Sequence, residues 1–312
     1  MSLLPAPRNH DSVRSKMNSK SDFNHLIPPL HLNYNTGSSE SDYHQNFSLD
    51  HLRFYFPEIL AASTDIEIQT GCRPPRILDL GCGFAPLAHA YIVALTASKA
   101  LFKCRSPANG ERGTLYCGID IRQDAISWLK TAYVSHPEFI FYHHQAPQTV
   151  DYVGDFIKTW ARGYTSAESD GKECKFDPPP FEADIQWSNS FFTHLTYSGA
   201  LEALKFINRS IGPNGISINT WLIVDTSSCV SMFNGDADRT LNIDTGPFLT
   251  YLAHNPLICT AYKLNVICEL YQQAGLTIKR ILRGSWRGAH VKNSFNHYQD
   301  IVIAHKTPLT LS

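Results

Sequence analysis

From Arg76 onward, short apolar runs alternate with longer segments of helical period. "RILDL" (76–80) is an apolar strand that runs straight into Gly-Cys-Gly, and "PLAHAYIVALTASKALFK" (86–103) follows as a helix opened by Pro86. "TLYCGID" (114–120) predicts a second strand, "RQDAISWLKTAYVSH" (122–136) a second helix and "EFIFYHH" (138–144) a third strand. "FEADIQWS" (181–188) is a fourth strand, followed by the helix "SGALEALKFINRSI" (198–211), a "GPNG" turn and the fifth strand "ISINTWLIVD" (216–225). "AYKLNVICELYQQAG" (261–275) predicts a helix that stops on Gly275. "LTIKRILR" and "HYQDIVIAHK" close the pattern as two strands joined by "GSWRGAHVKNSFN". Strands alternating with helices specify an α/β fold, with a parallel sheet covered by helices on both faces. Two final strands without a helix between them specify a hairpin, so one of them runs antiparallel.

The rest of the chain departs from this rhythm. Residues 1–22 are polar and unpatterned, and are expected to be a disordered tail. Residues 23–73, rich in aromatics and histidine, are expected to cap the substrate side of an α/β domain spanning 74–307. Within that domain, 226–260 is long enough to be an inserted lid.

Composition narrows the classes. The chain has 312 residues, 43% of them hydrophobic, which suits a globular protein with a sizeable core. Its formal net charge of −1 argues against a dedicated nucleic-acid binder, whose affinity would rest on a basic excess. Eight cysteines include no C-x-x-C pair and no Cys/His spacing that resembles a zinc site, so reduced thiols are expected and no metal. The N-terminal "MSLLPAPRNHDSVRSKMNSK" lacks the apolar core of a secretory leader, and no run approaches the roughly 18 apolar residues of a membrane span. A cytoplasmic location follows as the expectation.

The stretch with most chemical content is "LDLGCGFAP". A strand ends near Asp79, Gly81 and Gly83 permit a tight turn, and a helix begins near Pro86. At the carboxyl edge of a parallel sheet, such a turn is where nucleotide-like ligands bind. Pro86 stands where the dinucleotide pattern Gly-x-Gly-x-x-Gly has its third glycine, which disfavours a nicotinamide enzyme. The second strand ends in Asp120. An acid there accepts hydrogen bonds from ribose hydroxyls or caps the helix that follows, and the first role is favoured.

"RILDLGCGFAP" followed by "GIDIRQDAISWL" resembles the first two motifs of the class I S-adenosylmethionine-dependent methyltransferases. "WSNSFFTHLTYSGALEALKFINRSIGPNG" and "AGLTIKRILRGSWRG…YQDIVIAHK" resemble a subgroup of that family with an SVFTHL-type segment after the fourth strand. The resemblance covers roughly residues 25–305 and implies a Rossmann-like, doubly wound, seven-stranded sheet with a terminal antiparallel hairpin. It also implies S-adenosyl-L-methionine as cofactor and a small-molecule methyl acceptor. Carried over residue by residue, Asp79, Gly81, Cys82 and Gly83 line the methionine part, Asp120 holds the ribose and Ile121 packs on the adenine. Gln145 reads the adenine amino group where the family usually has an acid, and Ser188 joins the cofactor site. Ala85 replaces the motif's last glycine, which is tolerable if its backbone is helical.

On the acceptor side, His194 is the candidate base, reaching the methyl group from beyond the fourth strand, or else a residue that only packs the next helix. Asp225 and His290 are further candidates. Trp286 and Arg287 either wall the pocket or stiffen the hairpin loop, and Tyr34 closes the site from the N-terminal segment, with Tyr43 and His44 beside it. A hydroxyl acceptor, on a sugar or another metabolite, is the favoured chemistry. A nucleobase amine is an alternative prompted by "DPPPF" (177–181), and a non-catalytic binding protein is another. The prolines, however, precede the fourth strand. What leaves that strand at the active edge is "SNSFFTHL".

Overall fold

The computed structural model describes residues 23–29, 32, 47, 74–99, 113–144, 181–253, 256–288 and 297–307. Its centre is a seven-stranded sheet. Four strands, β1 (Ile77–Leu80), β2 (Tyr116–Asp120), β3 (Phe139–His143) and β4 (Ala183–Ser188), run parallel to β5 (Ile211–Trp221). The last two, β10 (Leu276–Leu282) and β11 (Asp300–Lys306), pair antiparallel with each other. The spatial order is β10-β11-β5-β4-β1-β2-β3, with β11 also antiparallel to β5. This is the doubly wound α/β sheet with a terminal hairpin that the sequence pattern specifies, and the strand that reverses direction is β11.

β1, β2 and β4 are buried at every position, as strands covered on both faces must be. Successive residues feed opposite cores. Ile77, Ile185, Trp187 and Ile218 pack with α1 (Pro86–Lys99) and α2 (Gln123–Ala132). Leu78, Leu80, Trp221 and Val302 pack with α3 (Tyr197–Ser210) and with α5 (Leu264–Gln273) on the other face. Thr196 starts α3 by accepting from the N–H of Gly199 at 3.2 Å.

The segment after β5 builds a second, smaller sheet. β6 (Ile223–Val224), β7 (Ile243–Asp244), β8 (Phe248–Thr250) and β9 (Ala261–Lys263) lie in the order β6-β9-β8-β7, with helix α4 (Thr226–Asn234) between β6 and β7 in sequence. The helix expected over 261–275 therefore begins only at Leu264. "AYK" continues its apolar period, but tertiary pairing of β9 with β6 and β8 takes those three residues into a strand. "GPNG" sits inside β5, where the β4 pairing jumps from Ala183↔Ile211 to Ile185↔Ile216, so those residues leave the ladder without ending the strand. No helix among the described residues is long and apolar enough to cross a membrane.

Candidate active site at the carboxyl edge of the sheet

The parallel register places Leu80 beside both Ile119 and Ser188, so the turns that leave β1, β2 and β4 meet at one edge. The turn after β1 is pinned to β2, with the N–H groups of Gly81 and Cys82 both donating to the Ile119 carbonyl, at 2.8 and 3.2 Å. Gly81 and Gly83 have φ of 72° and 53°, in the left-handed region that favours glycine. They need it differently. A Cβ on Gly81 would lie 2.9 Å from the Phe191 ring, whereas one on Gly83 would meet nothing within 4 Å among the described residues. Gly83 thus leaves bare backbone facing open space. Ala85 also has a left-handed φ, 53°, and is not helical as the sequence reading required; its methyl pays for that conformation from inside the core.

Asp120 joins the two turns. One carboxylate oxygen accepts from the Gly83 N–H at 2.8 Å and the other from the Arg122 N–H at 2.8 Å. Asp120 is buried, and burial raises its pKa. Both oxygens keep lone pairs beyond these bonds. Arg122, which precedes α2, stacks its guanidinium 4.6 Å from the centre of the Phe84 ring and donates to the Leu32 carbonyl at 3.4 Å.

Asp79 is buried under the same turn, where it accepts a hydrogen bond from the Tyr116 hydroxyl. Burial pushes its carboxyl from the ordinary 3.8 up to about 7; the Tyr116 bond opposes that shift and the Asp120 charge adds to it. Cys82 is buried too, with its thiol pushed well above the ordinary value by burial and by both acids. Ile121 packs into the hydrophobic core, and its carbonyl contacts the His143 ring at 3.0 Å. Ser188 points into the sheet interior, where its hydroxyl donates to Asn219 at 2.7 Å within a buried network reaching Ser217 and Tyr271.

No protein-family model matches the chain. Among solved structures, similarity at low identity extends to a S-adenosylmethionine-dependent methyltransferase from Clostridium acetobutylicum ATCC 824 (10% identity, 86% of this chain and 98% of that one, TM-score 0.43). It extends also to a TehB-like SAM-dependent methyltransferase from Corynebacterium glutamicum (15%, 89% and 100%, TM-score 0.37). A third is the pyocyanin biosynthetic protein PhzM (12% identity, TM-score 0.41), where 78% of this chain spans about half of the other, 54%.

β4 starts at Ala183, beyond the prolines, and what leaves its carboxyl end is Asn189-Ser190-Phe191. Ser190 has φ of 54°, unusual for a residue other than glycine. Its N–H donates to Thr220 Oγ1 at 2.7 Å, its carbonyl accepts from Thr193 Oγ1 at 3.1 Å, and its hydroxyl accepts from the Gln299 amide at 2.9 Å. His194 ends the 3₁₀ turn that follows (Phe192–His194), its ring Nδ1 donating to the Leu257 carbonyl at 2.9 Å. That bond fixes the tautomer and leaves the lone pair on Nε2. Burial lowers the His194 pKa from 6.5 to about 4; the Leu257 bond opposes the shift and nearby Arg239 assists it.

Two residues expected near substrate are engaged internally. Asp225 caps α4 in a reciprocal box with Ser228, and it pairs with Arg287 at 2.6 Å and Arg283 at 2.9 Å. Burial alone would raise its pKa, but the Ser228 N–H and the two guanidiniums hold it below the ordinary value. The spacing Asp225-x-x-Ser228 carries this cap in the sequence itself. Trp286 is fully buried, its indole N–H donating to Asp300 at 2.7 Å. Arg287 is likewise buried, its guanidinium paired with Asp225 and Asp300. Gln145, His290, Tyr34, Tyr43 and His44 lie outside the described residues, as does residue 177 of the proline stretch. Sequence reasoning passed over Ser190, Thr220, Gln299 and Asp300, although all flank strand ends at this edge.

Proposed function

We propose that this chain is an S-adenosylmethionine-dependent methyltransferase that acts on a small-molecule acceptor through a hydroxyl oxygen. The observation that carries the reading is the bond from the Gly83 N–H to Asp120, which ties a left-handed glycine turn to the acid ending β2 at the carboxyl edge of a parallel sheet. The residues fit the cofactor. Gly83 offers backbone to open space where the methionine portion would lie, and Asp120 retains acceptor capacity for ribose hydroxyls. Asp79 acts from beneath, holding Tyr116 and shaping the turn. Ile121 and Gln145 remain assigned to the adenine side.

When bound, the cofactor would supply an electrophilic methyl group on a sulfonium, with the C–S electron pair remaining on sulfur. The acceptor oxygen forms the new C–O bond and loses its proton, so the products are S-adenosylhomocysteine, a methyl ether and a proton. Alignment supplies much of the rate. We assign His194 Nε2 as the proton acceptor. Its depressed pKa makes it a weak base, which suffices if the proton leaves with or after C–O bond formation, because the oxonium is then far more acidic than the imidazolium.

The test is calorimetry with S-adenosylmethionine and S-adenosylhomocysteine, followed by mass-spectrometric detection of methyl gain across a panel of hydroxyl-bearing metabolites. Asp120→Asn is expected to weaken S-adenosylhomocysteine by about 1.5–3 kcal/mol, the worth of a charged hydrogen bond. No binding at millimolar cofactor would refute the enzyme reading, and unchanged affinity in the variant would refute the ribose assignment.

A further inference from the structure

Gln299, just ahead of β11, is 9% exposed. Its amide nitrogen donates to the Ser190 hydroxyl at 2.9 Å, yet its Oε1 is buried and accepts no hydrogen bond among the described residues. Buried amide oxygens are normally satisfied, and this one has acceptor capacity that a ligand's donor would fill. Its partner is equally constrained. Ser190 holds a left-handed φ, and both its backbone polar groups are pinned, by Thr220 and Thr193. Strain of this kind persists where the surroundings enforce it, and it clusters at functional sites.

Position adds the second strand of evidence. Leu80 and Ser188 are register partners, and the Phe191 ring lies against Gly81, so Ser190 stands beside the glycine turn. Asp300 is the register partner of Trp221 at the end of β5, which brings Gln299 to the same edge from the antiparallel strand. We propose that Ser190 and Gln299 form a positioning pair for the methyl acceptor and that the group they hold is a neutral hydroxyl. This deepens the methyltransferase reading above and rests on it.

The chemistry of the pair selects the ligand. With one lone pair of Ser190 Oγ taken by the Gln299 amide, the hydroxyl hydrogen is free to be given to a ligand oxygen. Gln299 Oε1 can only accept. A ligand must therefore accept from Ser190 and donate to Gln299, which a hydroxyl does at a single oxygen. A carboxylate has no proton for Oε1, and an ammonium has no lone pair for the serine. Held in this way, the acceptor oxygen keeps its second lone pair for the methyl carbon, and the proton first held by Gln299 Oε1 passes to His194 Nε2 as the C–O bond forms. Discrimination of this sort is strong, because the wrong group leaves a buried polar atom unpaired.

The test uses the full chain saturated with S-adenosylhomocysteine. The Gln299 side-chain amide is observed by NMR while benzyl alcohol, benzylamine or benzoate is titrated. Benzyl alcohol is expected to shift the Gln299 resonances saturably, and the other two are not. Gln299→Met, which keeps length and loses both polar atoms, is expected to weaken benzyl alcohol at least about tenfold while holding S-adenosylhomocysteine affinity within about twofold. A Gln299 amide indifferent to the alcohol, or equally responsive to benzoate or benzylamine, overturns the proposal even if the variant fails to fold, since that reading is made on the wild type. Failure of S-adenosylhomocysteine to bind the wild type refutes the methyltransferase reading instead, and the alcohol titration then judges the pair alone.

Discussion

Asp300, at the head of β11, receives Arg287 on both oxygens of its carboxylate, Nε at 3.1 Å and Nη2 at 3.4 Å, and neither side chain reaches solvent. The same guanidinium extends to Asp225 at 2.6 Å and to the Ile223 carbonyl at 2.6 Å. Asp300 also takes the N–H groups of Ile223, Gly284 and Trp286. One ion pair thereby locks the terminal hairpin to the junction of the two sheets. Removing one partner strands a buried charge, so Asp300→Asn and Arg287→Met are each expected to cost about 3–5 kcal/mol. The double variant should cost less than their sum. A double-mutant cycle by urea denaturation checks this, and additive losses would refute the coupling.

Asp79 predicts a pH dependence. Its carboxyl lies at about 7 in the fold against an ordinary 3.8, so between those values the folded protein binds the extra proton. The stability it confers is present at the acid end of that window and is lost as pH rises through about 7. Asp79→Asn keeps a neutral acceptor for Tyr116. Its melting temperature should therefore gain on the wild type as pH rises across the window. Parallel curves from thermal scans would contradict the burial of a protonatable Asp79.

His194 shifts the other way. With a folded pKa of about 4 against 6.5, the unfolded chain binds the extra proton between the two. Its contribution is thus lost as pH falls through that interval. The ring should show no NMR titration around neutrality, and its shifts should report the Nδ1–H tautomer. A midpoint near the ordinary value would mean the ring is not buried. His194→Asn is expected to reduce turnover by about 10²–10⁴ if Nε2 takes the proton.

The two glycines of the first turn should separate under substitution. Gly83→Ala costs only the left-handed backbone, about 1–2 kcal/mol. Gly81→Ala adds a methyl 2.9 Å from the Phe191 ring, and overpacking of this kind adds roughly 1–3 kcal/mol. Equal losses in denaturant melts would show that the Phe191 contact yields freely.

The glycine turn, Asp120 and the succession of strands were legible in the sequence because each is written locally, as a motif or a period. The Arg287–Asp300 lock was not, since burial of a charge depends on a partner from another strand, and charged residues read as surface. Ser188 illustrates the limit of strand-end reasoning. Alternation along β4 turns it toward Asn219, and the next exposed chemistry falls to Ser190 in the turn. The "AYK" strand failed for a related reason: three residues carry too little pattern to outweigh the helix that follows.

β10 lies at the outer edge of the main sheet, and among the described residues its neighbour there is β11, which comes later in the chain. During synthesis β10 therefore emerges before the strand it pairs with, and it joins the sheet as β11 inserts beside β5. The Gln299–Ser190 contact, which couples the last strand to the turn after β4, is thus among the last parts of the edge to be made.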